Sequence, residues 1–251
     1  MSEFVSMTAA PSSSAASSSA ATPSSDPTTS LVPVQSAVHA SFTVTYILLL
    51  TTATITFIEA LRTPIPFVRH VLNLETAISL IASYFYSLFV GMLSSSSSKA
   101  PIVWKEFTTL RYIDWSITTP LMLITLCLVC GSATHVPIHV STMSLILALN
   151  YAMLYAGYLG EQGTLSRWTA IALGFVPLVA MFFIIYKVFM STKYVKSNTI
   201  FFGIYVVVWS LYGFVYLLDD ASKNVAMNIL DCISKCIVGI GLFLFYAKVI
   251  V

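Results

Sequence analysis

Apolar residues crowd into seven stretches of this chain, at about 40–61, 72–94, 107–131, 136–160, 166–190, 197–218 and 224–249. Each is close to the ~20 residues that carry a helix across the hydrocarbon core of a bilayer. The breaks between them hold turn formers or charge: Arg62-Thr63-Pro64 with Pro66, the Ser94–Ser98 run ending in Lys99, His135 with Pro137, Gly160 to Gly163, Lys193 to Asn198, and Asp219-Asp220. No stretch alternates with the period of a barrel strand, and open strands would leave backbone groups unpaired in lipid. The pattern therefore predicts an all-α, multi-pass integral membrane protein with a seven-transmembrane-helix bundle over 39–251. Residues 1–38 differ: Ser, Ala, Thr and Pro dominate without periodicity, which predicts a disordered tail. The tail lacks the basic start and apolar core of a secretory signal, so the first span is expected to direct insertion.

Composition agrees, because 57% of the 251 residues are hydrophobic and only 9% are charged. A scattered net charge of +2 offers no basic face for nucleic acid. Membrane lipid is the expected surrounding. With the N-terminus outside, the cytoplasmic side would hold Arg62, Arg69, Lys187, Lys193, Lys196 and Lys248, against Lys99, Lys105, Arg167 and Lys223 outside. That bias follows the positive-inside rule and puts the C-terminus in the cytoplasm. Cys127, Cys130, Cys232 and Cys236 lie inside apolar stretches and read as buried thiols, giving neither a disulfide framework nor a metal site.

Two basic residues, Arg111 and Lys235, remain at membrane depth, where charge is costly and usually functional. Asp114 and Asp231 are the carboxylates well inside the third and seventh spans, the others being assigned to the tail, span ends or loops. Asp231 and Lys235 stand at i and i+4, and Arg111 and Asp114 at i and i+3, so each pair shares a helical face. One buried cluster could hold all four.

The segment Arg111-Tyr112-Ile113-Asp114-Trp115-Ser116-Ile117-Thr118-Thr119-Pro120-Leu121 resembles the third helix of microbial rhodopsins, and Leu230-Asp231-Cys232-Ile233-Ser234-Lys235 resembles their seventh. The likeness runs from about residue 40 to the C-terminus. It implies all-trans retinal, bound to Lys235 as a protonated Schiff base, a buried cation that needs anionic neighbours. By resemblance Asp114 is counter-ion and proton acceptor, Asp231 the second counter-ion, Arg111 the cation beneath them, and Thr118 a hydroxyl bonded to Asp114. Trp115, Gly157, Tyr205 and Trp209 match the retinal pocket, with Tyr86 a further match. Phe202 and Val206 stand where related pumps carry Trp and Pro. Thr119 and Asn150 resemble a pair linking the third and fourth helices beside retinal, although Asn150 could equally bond its own helix.

No enzymatic role is expected, and three light-driven roles compete. Eleven residues after Asp114, where an efficient outward pump carries a carboxylic acid that reprotonates the Schiff base, this chain has Thr125. Lys223, Asn224 and Asn228 on the seventh helix, with Glu75 on the second, suggest a hydrated path for cations or protons. That Lys-Asn-x-x-x-Asn pattern resembles the viral channelrhodopsins and implies light-gated cation conduction. A slow proton pump and a sensor acting through a separate partner stay open, and so does a homo-oligomer. The short end at Val251 leaves no room for a signalling domain.

Overall fold

The computed structural model describes residues 27–95 and 102–248, with side chains from residue 35 onward. Seven helices account for most of it: α1 Pro27–Arg62, α2 Pro66–Ser95, α3 Trp104–Thr134, α4 Val140–Glu161, α5 Arg167–Met190, α6 Lys196–Val215 and α7 Asp220–Tyr246. All seven are long and apolar enough to cross a membrane, which makes the chain a multi-pass integral membrane protein. In the bundle α1 packs on α2 and α7, α3 on α2 and α4, and α5 on α4 and α6.

Several boundaries differ from the sequence expectation, each for a local reason. α1 starts at Pro27, inside the stretch read as the tail, because proline is tolerated at a first helical position and an established helix extends at little cost. Residues 1–26, like Ser96–Ser98 and Lys99 of the α2–α3 connection, lie outside the described residues. α2 starts at Pro66 rather than 72, which places Glu75 a full two turns inside the helix. α4 starts at Val140 rather than 136, because α3 closes with His135 in the left-handed conformation and Pro137 follows before helical geometry can resume. α6 ends at Val215, and Asp219 then caps α7 by accepting the Ser222 amide at 3.0 Å. That bond holds the Asp219 carboxyl below its usual range.

The interior is two-sided. One apolar cluster gathers Leu123, Leu126, Cys127, Ile146, Met181 and Phe189 from α3, α4 and α5. Another gathers Phe42, Phe89 and Phe107 from α1, α2 and α3, with Phe89 and Phe107 stacked at 5.5 Å. All four cysteines are free thiols. The interior also holds buried polar residues, and many of them, Lys223, Asn224, Asn228, Asp231, Ser234 and Lys235, come from α7. Its backbone widens to a π-turn over Cys232–Ile237. Such turns are rare and recur at functional positions, and this one contains Lys235.

Candidate functional site

Lys235 is 1% exposed, and its Nζ lies 2.9 Å from Asp231 Oδ1 and 3.5 Å from Asp114 Oδ2. The i,i+4 relation brings Asp231 to it along α7, while Asp114 arrives from α3. The two carboxylates are in very different company. Asp231 also receives the Tyr212 hydroxyl at 2.5 Å, the Tyr86 hydroxyl at 2.7 Å and Arg111 Nη1 at 3.5 Å. Asp114 Oδ1 has no hydrogen-bond partner among the described residues.

Arg111 and Asp114 share a face of α3 but do not pair. The guanidinium turns to α7, where Nη2 donates to Asn228 Oδ1 at 2.8 Å and to Asn224 Oδ1 at 3.1 Å, while Nη1 donates to Tyr86 Oη at 3.1 Å. Two amide carbonyls, a phenol and the far oxygen of Asp231 satisfy a planar donor fork better than one carboxylate on its own helix. Phe42 and Phe89 flank the guanidinium, 5.5 and 5.4 Å from its carbon. Asn228 completes its contacts by donating to Ser41 at 2.9 Å, which ties α1 into the network.

Thr118 differs from its expected role: its hydroxyl donates to the backbone carbonyl of Asp114 at 2.9 Å, not to the carboxylate. A threonine four residues along a helix has that carbonyl within easy reach. Thr119 closes on Trp115 in the same way and accepts Asn150 Nδ2 at 2.8 Å, so the inter-helix bond between α3 and α4 is present.

From Lys235 an apolar cavity extends between α3 and α6 toward α5, walled by Trp115, Met122, Phe175, Trp209 and Tyr212. Gly157 and Gly213 line it where side chains would intrude: a Cβ at Gly157 would sit 2.6 Å from Tyr112 Oη, and one at Gly213 would meet the Phe175 ring. Trp115, Trp209 and Gly157 all line this cavity. Tyr205 does not line this cavity; it tilts against Trp209 at 6.0 Å, with its hydroxyl 3.4 Å from the Met122 carbonyl. Tyr86 does not line it either and belongs to the Arg111 and Asp231 network. Tyr212 is the residue that sequence reasoning missed. Its signal was present, since Trp209, Tyr212, Gly213 and Tyr216 follow i, i+3, i+4, i+7 spacing along α6 and its C-cap, and all four line the cavity.

A buried primary amine at one end of an elongated apolar slot, against two carboxylates, is a specific arrangement, and it coincides with a match to the bacteriorhodopsin-like protein model over residues 36–250. The chain belongs to the bacteriorhodopsin-like family. Among solved structures, the viral rhodopsin OLPVRII is similar with a TM-score of 0.79 and 41% identity, over 85% of this chain and 99% of that one. Green-light absorbing proteorhodopsin of Gamma-proteobacterium EBAC31A08 is 28% identical over 151 residues, 53% of this chain and 59% of that protein. Sensory rhodopsin III of Haloarcula marismortui is 29% identical over 146 residues, 52% of this chain and 60% of that protein. The chain thus spans about three fifths of the length of the curated relatives it matches.

For microbial rhodopsins the family implies a retinal chromophore, and the residues present fit one. Lys235 Nζ lies beside Asp231 and Asp114 and also lines the cavity, so the amine is placed to bond into it. The walls are aromatic and aliphatic, as a polyene requires. Filling the slot at Gly157→Val should displace Tyr112 and narrow the cavity. The expected result is several-fold slower formation of the visible band when retinal is added to the apoprotein, at unchanged protein yield.

The remaining residues singled out in the sequence are all buried but fall into two groups. Lys223, Asn224 and Asn228 lie on α7 on the capped side of Lys235. Glu75 is on the other side, 1% exposed, with Gly239 of α7 packed so closely that a Cβ there would be 3.2 Å from Glu75 Oε2. Glu75 faces Thr125, yet Glu75 Oε1, Thr125 Oγ1 and the Ser79 hydroxyl complete no hydrogen bond among the described residues. Glu75 is therefore a carboxylate within the span, not one near its end.

Proposed function

We propose that this chain is a retinal-based photoreceptor that acts as a light-gated cation channel, oriented with its N-terminus outside. Retinal, held by Lys235 as a protonated Schiff base, would supply light absorption and a change of shape inside the cavity. The chain's own residues supply everything else. Asp231 and Asp114 stabilise the cation at Nζ, and Asp114, with its free oxygen, is the carboxylate able to accept a proton without breaking other bonds. Trp115, Trp209 and Tyr212 confine the slot, and Asn150 on Thr119 couples it to α4.

The observation that carries the channel reading is the buried polar row on α7. Asn224 and Asn228 join Arg111, Tyr86 and Ser41 into one hydrogen-bonded set across α1, α2, α3 and α7. A membrane interior keeps so many polar groups where they replace an ion's water shell. On the Glu75 side, unsatisfied hydroxyls of Ser79 and Thr125 mark a second polar region beyond Lys235.

One observation favours a second reading, a light-driven proton pump. Glu75 presents a carboxyl group to Thr125, the position where a reprotonating acid would be expected. The acid is then supplied from α2 in place of α3. Photocurrent recorded across a voltage series, in cells supplied with retinal, separates the two. A current that reverses sign supports the channel, with Glu75→Gln expected to change its size or ion preference. A current of one direction at every voltage, accompanied by at least tenfold slower reprotonation in Glu75→Gln, would establish the pump instead.

A further inference from the structure

Lys223, like Lys235, is buried in this bundle, and the polar row does not explain its partner. Its Nζ lies 2.9 Å from both carboxylate oxygens of Glu161 and 2.9 Å from Asp220 Oδ1. Side-chain exposure is 3% for Lys223 and 8% for Glu161, while Asp220 is 41% exposed and is approached at 3.8 Å by Arg167. The bidentate, dry contact is therefore with Glu161.

Its position gives that contact meaning. Glu161 is the last residue of α4, and Lys223 stands in the first turn of α7. Helix α7 is packed against α1 and α6, whereas α4 is packed against α3 and α5. The ion pair thus crosses the mouth of the bundle between helices from opposite sides of the interior. Tyr216 reinforces the crossing from α6: its ring lies 6.0 Å beneath Lys223 Nζ, and its hydroxyl donates to the Gly157 carbonyl at 3.1 Å. Below Tyr216 and Gly157 lies the cavity that ends at Lys235.

The pair is poorly explained as a device for stability alone. A carboxylate at the C-terminus of a helix opposes the helix dipole, so Glu161 is placed where negative charge is unfavourable unless a cation is brought to it. Lys223 meets that need only while α4 and α7 stay at their present separation. A shape change in the cavity that moves either helix would break two charge-assisted bonds together.

We propose that Glu161 is a positioning residue that holds Lys223 across the outer mouth, and that the Glu161–Lys223 pair is the outer gate closing the conduction path in the dark. This rests on the channel reading and names the regulation of that same path. On opening, Lys223 leaves Glu161 and keeps its contact with Asp220 on its own helix, which clears the mouth and leaves Glu161 to face the incoming cation. Closing restores the bidentate pair.

The test uses the full chain with retinal, in voltage-clamped cells, with Glu161→Gln, Glu161→Lys, Lys223→Glu and the charge-exchanged double variant. Glu161→Gln should slow current decay after the light is switched off at least fivefold or leave a steady dark current, with the absorption maximum of the purified protein unchanged. Each charge reversal should do the same, and the double variant should return the decay to within about twofold of wild type. A merely structural pair would lower the amount of coloured protein while leaving decay kinetics alone, and that result would overturn the gate. A double variant whose defect equals the combined defects of its parents would also overturn it. Wild-type current that reverses with voltage, together with normal closing in all variants, rejects the gate but keeps the channel. Wild-type current that never reverses rejects both.

Discussion

Lys235→Ala is expected to abolish visible absorption in the otherwise folded protein. Among the described residues, Lys235 is the buried amine that lines the cavity, and Lys223, the other buried lysine, is engaged at the mouth by Glu161 and Asp220. The substitution should also be tolerated by the bundle better than loss of Asp231 would be. Without the ammonium, Asp231 still receives the Tyr86 and Tyr212 hydroxyls and Arg111, so it is not left as an unpaired buried charge. Purified variant incubated with retinal should therefore show the ultraviolet band of free retinal and circular dichroism close to that of wild type. Addition of a primary alkylamine that fits the vacated stem should recover part of the visible band, since the cavity and its two carboxylates remain. A visible band in the variant without added amine would sink the assignment of Lys235.

Much of this site could be read from the chain because charge is so scarce in it. When 9% of residues are charged, a lysine, an arginine and two aspartates at membrane depth are conspicuous, and helical spacing fixes which of them share a face. Spacing could not say which neighbours satisfy one another. Arg111 and Asp114 are one turn apart, yet Arg111 bonds to side chains more than a hundred residues away in sequence. Thr118 is correctly placed one turn from Asp114, but a hydroxyl at that offset meets the backbone first. Tyr86 and Tyr205 match the pocket by resemblance of position, whereas the phenol of Tyr86 donates to Asp231 and accepts from Arg111, and Tyr205 packs against Trp209 without lining the cavity. Glu161 reads in the sequence as a span-end residue, because its partner depends on how α4 and α7 face across the bundle. Helix boundaries moved where proline or a left-handed residue decides them, at Pro27, Pro66 and His135, which hydropathy does not register.

The two carboxylates beside Lys235 should respond differently to neutralisation. Asp114→Asn removes a carboxylate whose described side-chain contact is Lys235 at 3.5 Å, so the bundle should keep its stability to within about 1 kcal/mol, as for a single modest contact. Its effect should be spectral. Removing negative charge beside the protonated nitrogen destabilises the ground state, in which positive charge is concentrated there, more than the excited state, in which that charge has moved along the polyene. The visible band should shift to the red. Asp231→Asn preserves shape but removes the acceptor on which Lys235, Arg111, Tyr86 and Tyr212 converge. Breaking a buried ionic network by deleting one partner costs about 3–5 kcal/mol, because the remaining charges stay buried. Asp231→Asn should therefore fall in thermal stability far below Asp114→Asn, and its coloured yield should drop before any spectral shift can be read. Equal melting temperatures for the two variants would mean that Arg111 is held by Asn224, Asn228 and Tyr86 alone, and that Asp231 is no more central to the structure than Asp114.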